Sequence, residues 1–258
     1  MKQTEAQKLV DDALASQAGI KDLYDRIDAA SPITIAPSGE KTWASTTDAA
    51  GTTISVAPTA HPVESLAHEL LHADLKLAGF RQYCTFLTVN GDKTVFQLAS
   101  ALDNELQHHR MFSKFVASGF DPTRFYHDGD YQTYDAVRTR LKRAKNDRTT
   151  APEYFLMYLS VIAPGGAGTE RRREQLERFF QMTVPKEKMA LVGEAAAKLI
   201  AWSEGTDHDA GAVVLEIVQT LGDFDGWWIG ASQDFPNDGY FTGQAFTMSD
   251  AQRYAASK

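Results

Sequence analysis

The chain has one cysteine, Cys84, in 258 residues. A single thiol excludes an internal disulfide framework and any multi-cysteine structural zinc site, so a bound metal would rely mainly on nitrogen and oxygen ligands. Long hydrophobic runs are also missing. No stretch approaches the roughly 20 apolar residues of a bilayer span. Met1 to Ser16 lacks the continuous apolar core and basic start of a secretory leader. A cytoplasmic protein is the resulting expectation. Positive charge is in deficit, with 26 Lys and Arg against 34 Asp and Glu and a net charge of -8. That balance argues against nucleic-acid or anionic-membrane partners. The basic run Arg138, Arg140, Lys142, Arg143, Lys145 and Arg148 therefore reads as solvated helix faces. No internal repeat or low-complexity tract is present.

What the chain does have is a composition 43% hydrophobic and 23% charged, sufficient to bury a core in one large or two small domains. Its most informative stretch is Ala67-His68-Glu69-Leu70-Leu71-His72-Ala73, an H-E-x-x-H pattern inside an apolar helical run. Side chains four apart share one helix face, so His68 and His72 can close on a single metal ion. Glu69 lies one step round the cylinder, within reach of a water on that metal. Glu64 shares the histidine face, but an acid in a first helical turn is already favoured there by the helix dipole.

The surrounding elements can be read in order. Thr4 to Ala29 has the spacing of one or two helices, with Leu9, Val10, Leu14, Leu23 and Ile27 buried and Gly19 as a break. Ile33–Ala36 and Thr52–Val56 alternate as half-buried strands, and Trp43–Thr46 is a candidate third. The H-E-x-x-H helix runs from about Val63 to Ala78, with Gly79 ending it. Asn90-Gly91 signals either a hairpin between Thr88-Val89 and Thr94-Val95 or a turn before the next helix.

That next helix, Lys93 to Ser118, carries a stripe through Leu98, Leu102, Glu105, His109, Phe112 and Val116. A carboxylate within a core stripe needs a cationic partner, which a metal held by His68 and His72 would supply. An arginine or a solvated cleft would also satisfy it. His108, offset by about 100 degrees, is the reserve ligand.

His68, Glu69 and His72, with Leu66, Leu70 and Leu71 between and beside them, resemble the zincin metallopeptidases. The metzincin branch needs a glycine and a histidine where this chain has Leu75 and Ala78. The gluzincin branch takes its third ligand from a later helix, often at Asn-Glu, and Asn104-Glu105 resembles that pair. The resemblance implies one Zn2+ per chain on His68, His72 and Glu105, with Glu69 as general base toward peptide bonds. It also implies an edge strand that pairs with an extended peptide or protein substrate, and an oxyanion donor from outside the metal helices. His109 stands where gluzincins carry an orienting aspartate, which makes it a candidate transition-state donor. Tyr126 and His127, in the aromatic stretch Phe125 to Tyr131, are further candidates.

The expected class is α+β, with a zincin-like core over residues 1–120 and a mostly helical lobe over 121–258 that closes the active-site cleft. Two alternatives remain. Glu69-x-x-His72 and Glu105-x-x-His108 together form the paired motif of di-iron carboxylate oxidoreductases. The same scaffold can also serve as a non-catalytic regulator or binding protein.

Overall fold

Two helices precede the sheet, and each buries a narrow apolar face. Helix α1 (Gln3–Ser16) buries Ala6, Val10 and Ala13, and α2 (Ala18–Ala30) buries Ile20 and Ile27. The break between them is Gln17, whose backbone is extended, whereas Gly19 lies inside α2. The computed structural model describes residues 1–82, 84–87, 93–126, 133–144, 148–165, 169–222, 226–229 and 244–245.

Strands β1 (Ile33–Pro37), β2 (Ala44–Asp48) and β3 (Gly51–Val56) form a sheet in the order β1-β3-β2. β1 runs parallel to β3 and β2 antiparallel, so β2 is an edge strand. Thr52, Ile54 and Val56 alternate inward along β3, which fixes the register because a one-residue slip would expose all three. Gly51 closes the β2–β3 turn at φ 145°, and a Cβ there would lie 2.6 Å from the Pro32 carbonyl oxygen.

Helix α3 (Pro62–Leu77) packs against α1, α2 and β2. Pro62 at its first turn gives up no intrahelical hydrogen bond. Its C-terminus closes on Gly79 at φ 102°, with Phe80 N–H donating to the Leu75 carbonyl and Gly79 N–H to that of Lys76. This double bond pattern satisfies two end carbonyls and stops the helix. α3 is buried on nearly every side from Ser65 to Ala73, and for that reason its histidines and glutamate are buried as well.

The chain continues through β4 (Cys84–Leu87), α4 (Lys93–Ala117), a 3-10 turn at Pro122–Arg124, α5 (Tyr134–Arg143), α6 (Ala151–Ile162), α7 (Glu170–Thr183), α8 (Lys186–Glu204), α9 (Gly211–Leu221), β5 (Gly226–Ile229) and β6 (Gln244–Ala245). The protein is α+β, predominantly helical with small sheets. Thr94-Val95 begins α4, so the second arm of the expected hairpin is helical, and Asn90-Gly91 itself lies outside the described residues. Among the described residues no helix is long and apolar enough to cross a membrane.

Two compact units emerge, divided otherwise than by a single cut at residue 120. The first comprises Met1–Phe80, Gln107–Ala136 and Ala163–Arg173. Its core joins Ile54, Leu66, Leu70, Met111, Phe115 and Phe125. The second comprises Arg81–Leu106, Val137–Ile162 and Glu174–Lys258. Within it α8 packs on α6 and α9, and β4 pairs antiparallel with β5.

A candidate metal centre of three histidines

His68 and His72 project from the same face of α3, as their four-residue spacing requires. Their Nε2 atoms stand 3.1 Å apart, and their rings meet edge-on with centroids 4.8 Å apart. His108, from α4, completes the group. Its ring centroid lies 5.0 Å from that of His68 and 5.1 Å from that of His72. One ligand atom from each of the three residues falls within 4.8 Å of the others. Two imidazole nitrogens on a tetrahedral zinc, at bond lengths of 2.0–2.1 Å, are separated by about 3.3 Å. The observed Nε2 pair is close to that spacing.

The third member of the group is His108, the reserve choice of the sequence reading, where that reading puts Glu105 first. Glu105 is buried, yet it does not belong to the metal-capable group, and neither does His109. The reason is the rotation of α4. The stripe read through His109, Phe112 and Val116 is replaced in this half of the helix by buried His108, Met111 and Phe115, one residue back, while Val116 is exposed. That shift turns the reserve ligand, His108, toward the α3 histidines.

All three rings are buried, and neutral imidazole is the form that can ligate. Burial holds His68 well below its ordinary pKa, and the neighbouring His72 and His108 lower it further. The Phe125 backbone works in the other direction. His68 Nδ1 is buried with no hydrogen-bond partner among the described residues. His72 is pushed down to about 3, first by burial and then by His108, with Gln107 opposing. His72 Nδ1 lies 3.1 Å from Gln107 Oε1. The Gln107 side chain is a contact that sequence reasoning missed, although a glutamine beside a histidine in a buried helical stretch was the available signal.

Glu69, the residue after His68, is nearly inaccessible and lines the same cleft. Ser45 Oγ, on edge strand β2, donates a 2.7 Å hydrogen bond to Glu69 Oε2. Sequence reading did not single out Ser45, because nothing local to the strand marks it. A small cleft of about 10 Å³, the size of a water site, lies beside these residues, lined by Trp43, Ser65, His68, Glu69, Arg124, Phe125 and Tyr126. Glu64, on the histidine face, pairs with Arg124 at 2.6 Å.

Phe125 and Tyr126 wall the centre. The Phe125 ring lies 4.7 Å from that of His68, and the Tyr126 ring lies 4.8 Å from that of His108, almost perpendicular to it. His127 lies outside the described residues.

The donor set suits a borderline divalent ion such as zinc. It consists of three imidazole nitrogens, close together and buried, with a carboxylate and a small cleft alongside. No protein-family model, curated protein or solved structure matches this chain.

Proposed function

We propose that the protein is a zinc-dependent hydrolase acting on peptide bonds, with His68, His72 and His108 holding one Zn2+. The observation that carries this reading is the three-histidine group standing next to Glu69 at the cleft. A divalent ion held there supplies a Lewis acid that polarises a carbonyl and brings the pKa of water toward about 7.

The chain's own groups account for the rest. Glu69, fixed by Ser45, accepts a proton from the attacking water and returns it to the leaving amine. Tyr126, at the cleft wall, is the hydroxyl donor for the developing oxyanion. β2 is an edge strand and carries Ser45, so an extended peptide added along that edge runs past the general base. Backbone pairing there binds many sequences.

The paired E-x-x-H alternative is weaker. A di-iron centre needs carboxylate ligands and bridges, whereas this ligand group is made of imidazoles alone, and Glu69 is engaged by Ser45.

Metal analysis of the purified protein beside His108→Ala and Glu105→Ala, followed by peptide-library cleavage with Glu69→Gln as control, tests the proposal. The expected result is one zinc per chain, lost in His108→Ala and retained in Glu105→Ala and Glu69→Gln, with cleavage abolished in Glu69→Gln. Zinc lost in Glu105→Ala but kept in His108→Ala would overturn the ligand set. Zinc bound without cleavage of any peptide would instead favour a non-catalytic binding protein.

A further inference from the structure

We propose that Gln107 is a positioning residue of the metal centre: its side-chain oxygen holds His72 in the Nδ1-protonated tautomer and so aims the Nε2 lone pair into the site. This inference rests on the three-histidine reading. The contact is His72 Nδ1 to Gln107 Oε1 at 3.1 Å, with both residues buried and the geometry closed to competition from solvent. An amide oxygen only accepts, so Nδ1 must carry the proton. Were the amide turned to present its NH2 group, His72 would keep its proton on Nε2. That proton would then face His68 Nε2 at 3.1 Å and occupy the ligating position. Only the oxygen-inward orientation leaves a lone pair where a metal needs it.

The two α3 histidines consequently differ. His72 is held by a side chain, whereas among the described residues no side chain holds His68 Nδ1. Gln107 immediately precedes His108, and a single turn of α4 therefore delivers both one ligand and the group that orients another. Gln107 is also uncharged. A carboxylate in its place would make His72 a stronger donor and hold a cation more tightly, while an amide fixes the ring and leaves the full charge of the ion on the substrate side.

The test uses the full chain and zinc alone, titrated in competition with a chromophoric chelator, together with 15N NMR of the metal-free protein labelled at histidine. Gln107→Leu should raise the zinc dissociation constant about 10- to 100-fold, and Gln107→Glu should lower it. The wild-type His72 signals should report a proton on Nδ1. A proton found on Nε2 overturns the inference even if Gln107→Leu fails to fold. Zinc affinity unchanged in Gln107→Leu, with His108→Ala having lost the metal, overturns this inference alone. No zinc bound by the wild type would overturn the metal reading and this inference with it.

Discussion

At the scale of single residues, chemistry that looks equivalent in the sequence is separated by burial. Cys84 is the only thiol and is buried, and burial pushes its pKa up to about 12. The folded protein at pH 8 should accordingly leave a thiol-reactive chromogen unreacted until denaturant is added. Rapid modification of the native chain would contradict this. Because the folded pKa exceeds the ordinary value of 9.0, the thiol contributes stability that is complete below about pH 9 and lost as pH rises toward 12. Histidine follows the same logic with opposite sign. The juxtaposition of His68 and His72 was legible because it depends only on spacing within one helix. The place of His108 beside them was not fixed in the same way, since it depends on how α4 is rotated. Apolar residues on both sides of that helix left two faces about 100 degrees apart nearly equal in hydrophobicity.

Elements were read more securely than their partners. α3 begins at Pro62 and ends before Gly79, where a proline and a glycine bracket the apolar run. β1 and β3 follow from strict alternation between turn residues. That β2 is the edge, and that its Ser45 reaches Glu69, depends on non-local pairing, which no local pattern encodes. Two glycines should respond differently to substitution by alanine. At Gly79 the backbone is left-handed but nothing lies within 4 Å of a new Cβ, so the cost is about 1 kcal/mol of backbone strain. At Gly51 the left-handed φ is joined by the approach of the Pro32 oxygen, and the loss should be larger. Urea denaturation of the two variants gives the order directly, and equal midpoints would show that the β2–β3 turn yields without strain.

For the whole molecule, the buried histidines couple the candidate metal site to acid stability. His68 and His72 resist protonation in the folded chain, with His72 near 3, while in the unfolded chain both titrate around 6.5. As pH falls from about 6.5 toward 3, the unfolded state therefore binds more protons than the native state, and the metal-free protein loses stability through that window. The expected size is on the order of several kcal/mol, followed by thermal unfolding from pH 7 to 4 in the presence of a chelator. Zinc at 100 times its dissociation constant should add about 2.7 kcal/mol near neutral pH, and less as acid competes for the ligands. An unfolding temperature indifferent to both pH and zinc would mean that the three imidazoles are not buried together. The first unit, which holds these imidazoles, is assembled from three separate lengths of chain, with His68 and His72 in one and His108 in the next. During synthesis, then, a nascent chain would carry only two of the three proposed ligands until residue 108 has been made. Zinc held by all three under the proposed reading would then precede synthesis of residues 163–173, the last length of that first unit.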